Sequence, residues 1–136
     1  MSWLFIDTHV PRRVRVGTVD ADGCVRATLH EVHATQALKL IEQEQRRQTR
    51  AKQQLSGVCV VSGPGTFSAV RVGVVLANLI ALVRRVPLVG ITPDLAEDPT
   101  SLAVALAHSQ RGATSYVAPV YDAEPTITQP QPTPHL

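Results

Sequence analysis

Two short stretches hold residue types and spacings that could do chemistry. The first, Asp7-Thr8-His9, closes an apolar run. A carboxylate there could sit beside a phosphate and its Mg²⁺, because a hard cation takes oxygen ligands and a phosphate-bridged Mg²⁺ needs only one or two carboxylates. The alternative is that Asp7 caps the turn before Pro11 through local hydrogen bonds. The second stretch is Ser62-Gly63-Pro64-Gly65-Thr66-Phe67-Ser68, between a strand-like and a helix-like run. Free amides at a helix start attract anions, and glycines let backbone approach a ligand closely. Pro64 lacks a donor, however, and the pattern is neither a Walker loop nor a full GxGxxG. The alternative is a tight turn with Thr66 or Ser68 capping the helix. Asp7, Thr8, Gly63, Gly65 and Thr66 are thus the candidate phosphate-binding residues, with ATP and Mg²⁺ as the only cofactors they suggest. Arg71, one turn into the helix, could answer an anion or a partner's carboxylate. His9, His30, His33, His108 and His135 are scattered without metal-ligand spacing, so no metal site is expected. No Ser-His-Asp or Cys-His arrangement can be argued, and no catalytic residue is assigned.

The elements that must position these residues follow from periodicity. Trp3 to Thr8 reads as a strand. Arg13 to Val19 alternates with period two, Asp22-Gly23 signals a hairpin turn, and Cys24 to Val32 alternates again, which makes an antiparallel three-strand meander. A helix from about Ala34 to Lys52 carries the apolar stripe Ala34, Ala37, Leu38 and Ile41, then turns almost wholly polar. His33 or Thr35 could start it, Thr35 being the better cap by chemistry. Gly57 to Ser62 is an interior strand. Phe67 to Arg85 is a long helix, stopped by Pro87. Leu88 to Thr92 is a short buried strand, Pro93 to Pro99 a loop, and Thr100 a cap for a third helix with Leu102, Ala105 and Leu106 inward. Ser115 to Tyr121 reads as a further strand weakened by Pro119. Residues 1–122 form one domain, and 123–136, with four prolines, an extended or disordered tail. The expected class is α/β: a mixed five-stranded sheet with helices on both faces, in the manner of a ribonuclease-H-like (actin-like ATPase) half-domain.

The long helix is apolar nearly all round, with Val70, Val74, Ala77 and Ala81 on one side and Val72, Val75, Leu76, Leu79 and Leu82 on others. One sheet face cannot cover it, so another helix or another chain must. The expected interface residues are His33, Ala34, Ala37, Leu38, Ile41, Phe67, Val70, Arg71, Val74, Ala77 and Ala81. Glu at Val74 or Ala77 should then break the assembly and spare the fold.

Composition fits this picture. The 136 residues are 44% hydrophobic, mostly Val, Ala and Leu, which favours helix-covered parallel strands over disorder. A net charge of +2 is low for a strongly basic nucleic-acid binder. Arg46, Arg47, Arg50 and Lys52 still form a local cluster, either a solvated helix end or an RNA contact. Cys24 and Cys59 are too few for a disulfide framework and suit a reducing cytoplasm. No secretory signal is visible, and Val72 to Val83 contains Asn78 and is too short to span a bilayer.

Four segments, in register from about Trp3 to Ala96, resemble the TsaB (YeaZ) family: FIDTHVPRRVRVGTVD, the helix start His33-Ala34-Thr35-Gln36-Ala37-Leu38, the stretch Ser62 to Gly73 (SGPGTFSAVRVG), and Pro87-Leu88-Val89-Gly90-Ile91. The most specific is Ser62 to Gly73, close to that family's S-G-P-G-S-F-T-G-L-R-I-G. His9 replaces a serine of the family pattern, and Ala69 a glycine. The resemblance implies an actin-like fold and a non-catalytic subunit of the machinery that places a threonylcarbamoyl group on a tRNA adenosine. It implies docking, through the first two helices, to a TsaD-type catalytic subunit or a second copy, alongside a TsaE-type ATPase, with tRNA reached only through the complex. It also implies that the chain is shortened to roughly the first half of such proteins, without a cleft between two halves to enclose a nucleotide.

Overall fold

The computed structural model describes residues 2–109 and 117–118. Strand β1 (Ser2–Asp7) lies between β2 (Val14–Asp20), antiparallel to it, and β4 (Leu55–Val61), parallel to it; β3 (Val25–His30) pairs antiparallel with β2, and β5 (Leu88–Ile91) pairs parallel with β4. The sheet order is β3-β2-β1-β4-β5, the ribonuclease-H-like arrangement expected from three hairpin strands feeding two strand–helix–strand crossovers.

Strand alternation makes two cores. Leu4 and Ile6 of β1, Val14 and Val16 of β2 and Val58 and Val60 of β4 face a layer built by α1 (Ala37–Arg50) and α2 (Phe67–Arg84). Trp3, Phe5, Val19, Cys59 and Val61 face the other way, against α3 (Pro93–Ala96) and α4 (Pro99–Ser109). β1 and β4 are buried on both sides, which is why they read as unbroken apolar runs rather than alternating ones. Gly57 is needed here: a Cβ would lie 2.5 Å from the Trp3 ring and 2.9 Å from the Pro87 carbonyl.

Three helix starts differ from expectation. The first helix opens with a 3₁₀ turn, Ala34–Gln36, capped by His33, whose Nδ1 accepts from the Thr35 amide at 3.2 Å; the imidazole nitrogen does what Thr35 was expected to do. Residues 93–96, expected as loop, form the single turn α3, because the Thr92 hydroxyl accepts from the Leu95 amide. α4 is capped by Asp98 rather than Thr100. The Asp98 carboxylate accepts from the Ser101 hydroxyl at 2.8 Å and the Ser101 amide at 3.3 Å, and these bonds hold its carboxyl below the usual range. Of the strand expected over Ser115 to Tyr121, only Val117 and Ala118 are described, and neither is in a strand. The remainder of that segment, and the tail, lie outside the described residues.

Both long helices close in the same way. Gln53 N–H donates to Gln48 O at 2.9 Å and Lys52 N–H to Thr49 O at 3.1 Å; Val86 N–H donates to Ala81 O at 3.1 Å and Arg85 N–H to Leu82 O at 3.3 Å. These are Schellman closures, which put the residue after the helix in the left-handed region. That residue is Lys52 (φ 56°) in one and Arg85 (φ 55°) in the other. Glycine normally stands there, and an L-residue costs roughly 1 kcal/mol or more.

The two cysteines differ. Cys59 is fully buried in β4, and burial pushes its thiol up to about 12. Cys24 is exposed, and the Asp22 charge raises its pKa. Since the thiolate is the nucleophile, a thiol reagent at about pH 8 should label one cysteine per native chain, more slowly than a free thiol and faster as pH rises. In denaturant it should label both. Two labels on the native chain would place Cys59 in an opening segment.

Candidate docking face

Thr8 is 1% exposed, and its hydroxyl is spent inside the fold. It donates to Ala69 O at 2.6 Å and accepts from Gly73 N–H at 3.1 Å. Ala69 and Gly73 are four apart in α2, so the hydroxyl bridges a donor and an acceptor of the helix's own ladder. Gly73 is glycine because a Cβ would run into that hydroxyl. Asp7, 3% exposed, accepts from the His9 amide at 3.0 Å and from His9 Nδ1 at 2.5 Å, with Arg15 at 3.5 Å from its other oxygen. Arg15 also lies over the Phe5 ring and reaches Glu97 at 3.3 Å. The carboxylate is thus held by its own chain, as in the turn alternative read from the sequence. Among the described residues no three His, Cys, Asp or Glu side chains converge as a metal site.

The glycine loop is likewise a packing device. Gly63 has φ +111°, open in practice only to glycine. A Cβ on Gly65 would lie 2.6 Å from Val70 and 2.7 Å from His9 O, so this residue lets the β4–α2 loop rest on the β1–β2 loop. Thr66 occupies the cap position of α2 without a side-chain cap bond.

The expected interface residues separate into two groups. Ala34, Ala37, Ile41, Val70, Val74, Ala77 and Ala81 are buried in the chain's own core, where no partner reaches them; this corrects their assignment. The sheet and α1 take that side of α2, where Val70, Val74, Ala77 and Ala81 pack against β1, β2, β4 and α1. His33, Leu38, Phe67 and Arg71 are exposed. The surplus apolar surface lies on the opposite side of α2: Val75 is 56% exposed, Leu79 54%, Leu82 73% and Val83 70%, with Val72, Leu76 and Ile80 half-buried beside them. At the start of this ridge Phe67, Ser68, Arg71, Val72, Val75 and Leu76 line an open groove of about 430 Å³, with the Arg71 guanidinium 5.8 Å from the centre of the Phe67 ring. The signal was present in the sequence as a helix apolar on every side. Periodicity could not say which side the sheet would claim.

Among the described residues α2 is the one helix long and apolar enough to cross a bilayer, but its inner ridge is already packed in the core. Asn78 explains the polar break in that run. Its Nδ2 donates to Val117 O at 2.9 Å, and Val117 N–H donates to its Oδ1 at 2.9 Å. The amide thus holds the main chain of Val117, whose side chain packs on the core.

Comparison with known proteins agrees with this architecture. The solved structure of YeaZ from Pseudomonas aeruginosa superposes with a TM-score of 0.55 at 18% identity, covering 67% of this chain and 43% of that one. A second structure, of a protein described as similar to peptidase YEAZ from Pseudomonas aeruginosa, gives 0.50 at 19% identity with the same coverage. The chain therefore spans less than half the length of these structures, and at such identities they establish the fold. No curated protein matches significantly. The family model described as "TsaD: tRNA N6-adenosine threonylcarbamoyltransferase" matches residues 18–93, more than half of the chain. With a fold shared with YeaZ and a family match over that span, the chain belongs to the tRNA N6-adenosine threonylcarbamoyltransferase family.

Proposed function

We propose that this chain is a non-catalytic docking subunit in tRNA N6-threonylcarbamoyladenosine synthesis, and that it binds a TsaD-type catalytic subunit through α2 and the exposed start of α1. The observation that carries this reading is the outer ridge of α2. Val75, Leu79 and Leu82 stay in solvent although the other side of the same helix is fully packed, and contiguous apolar surface of this kind marks an interaction site. Phe67 and Arg71, already expected at the interface, border it, and Leu38 is exposed on α1. Asp7 and Thr8 support the non-catalytic part, since their polar atoms serve the fold. The setting is cytoplasmic, and a TsaE-type ATPase would join the complex through the catalytic partner.

The test is co-expression of the tagged full chain with the TsaD-type subunit of the same genome. The native chain should co-elute with it. The variant Val75→Glu/Leu79→Glu should lose about two orders of magnitude in affinity and still melt close to the native chain. A folded variant that co-elutes normally, or a native chain that ignores the partner, would overturn the reading. A dimer of the chain alone, abolished by the same variant, would assign the ridge to self-association instead.

A further inference from the structure

The net charge of +2 conceals a segregation. From Ala37 to Pro87, which covers α1, β4 and α2, there are eight Lys or Arg against two Glu; from Leu88 to Ser109, which covers α3 and α4, there are three acidic residues and no Lys or Arg. The two groups sit on opposite faces of the sheet.

Topology then gathers six of the eight cations at one end of the helical layer. α1 hands over to β4, whose first residue Leu55 pairs with Ser2 at the start of β1. α2 hands over to β5, whose Leu88 pairs with Val58, while Val58 N–H donates to Pro87 O at 2.9 Å. Both helices therefore end where β1, β4 and β5 begin. Arg46, Arg47, Arg50 and Lys52 from α1, and Arg84 and Arg85 from α2, border that single sheet end, all of them exposed. Arg47 is paired with Glu44 at 2.6 Å. Among the described residues the other five have no carboxylate partner. Two of these, Lys52 and Arg85, are the left-handed residues of the Schellman closures. Strained positions kept against the glycine alternative concentrate at functional sites, and here both carry the same charge at adjacent helix ends.

We propose that this end of the α1–α2 layer binds the phosphodiester backbone of RNA, without reading bases. The chemistry favours phosphate over an acidic protein surface. From Arg46 to Gln54 the only apolar side chain is Ala51; Gln48 is buried and donates to Glu44, the Thr49 hydroxyl donates to Gln45 O, and Gln53 and Gln54 are exposed beside the cations. A protein interface needs a dry apolar centre, and base readout from single strands needs aromatic side chains to stack on. Neither is present in this stretch. Separate cations beside the exposed amides of Gln53 and Gln54 suit phosphate oxygens and sugar hydroxyls. The simpler use of basic residues at helix C-termini, complementing the dipole, accounts for Arg47, Arg50 and Arg84. It does not explain Lys52 and Arg85 in a conformation that glycine would adopt more easily. The inference does not rest on docking through the apolar ridge, although that ridge runs on to Leu82 and Val83 beside Arg84.

The test uses the full chain and a fluorescein-labelled RNA stem–loop of arbitrary sequence, followed by anisotropy between about 50 and 200 mM KCl. Five phosphate contacts predict a slope of log K against log salt of about −3.5 to −4.5, unchanged for a second stem–loop of scrambled sequence. Arg50→Gln/Arg84→Gln/Arg85→Gln should bind at least tenfold more weakly and flatten the slope by about 2. Arg85→Gly removes one cation while relieving the backbone, so it should bind more weakly yet melt no lower than the native chain; a purely structural role would leave its binding unchanged. The proposal is overturned if the triple variant binds like the native chain, if the native chain shows no binding at low salt, or if polyglutamate competes as well as unlabelled RNA.

Discussion

Val74→Glu unfolds the domain. Val74 is 1% exposed, in a core shared by β1, β2, β4, α1 and α2. A carboxylate placed there must either be buried unpaired or open the helix from the sheet, a cost of at least about 4 kcal/mol. That is a large share of the 5–15 kcal/mol that holds a domain of this size together. Thermal melts by circular dichroism should show the cooperative transition lost or displaced far downward. Leu79→Glu, five residues on and 54% exposed, should stay within about 0.5 kcal/mol of the native chain. A Val74→Glu chain melting alongside Leu79→Glu would mean that α2 does not lie on the sheet as described. The sequence expectation that Glu at Val74 would break only an assembly is thereby reversed, because the position is buried by its own chain.

Gly73→Ala should destabilise by about 2 kcal/mol, although alanine is the better helix former. The added methyl collides with the Thr8 hydroxyl that bridges Gly73 N–H and Ala69 O, and overpacking of this kind costs about 1–3 kcal/mol. Helix propensity returns at most about 1 kcal/mol. Thr8→Ala alone should cost about 1–3 kcal/mol through the lost bonds. The double variant settles the mechanism. With the hydroxyl gone, the methyl introduced by Gly73→Ala has room, so Thr8→Ala/Gly73→Ala should melt near or above Thr8→Ala, with a coupling on the order of 1–2 kcal/mol in its favour. Strict additivity in chemical denaturation would mean that Thr8 and Gly73 do not meet. These effects are read on stability with no nucleotide present, which separates the structural role of Thr8 from the phosphate-binding role its place in the sequence suggested.

Local signals carried much of the architecture. Period-two alternation over Val14 to Val19 and the Asp22-Gly23 turn specify the meander. The unbroken apolar run at β4 and the proline after α2 specify the crossover. Caps were less legible, because several polar side chains compete at each helix start: a histidine took the place of Thr35, and Asp98 that of Thr100, by small differences in position that spacing does not encode. The Schellman closures at Lys52 and Arg85 were invisible for a related reason, since the residue that announces such a closure is glycine and neither position has one.

The candidate sites divide along the same line. By itself the sequence determined that α2 is apolar on more sides than one sheet can cover, that Asp7 and Thr8 stand at a strand end, and that basic residues accumulate after Ile41. Only the tertiary structure decided which side of α2 the sheet takes, that Thr8 is consumed by the α2 ladder 61 and 65 residues away, and that Arg84 and Arg85 come to lie at the same sheet end as Arg46 to Lys52. The physical reason is that hydrophobicity and charge belong to each residue wherever it stands. Burial and adjacency belong to pairs of segments brought together across the sheet, and no local pattern in the chain records that pairing.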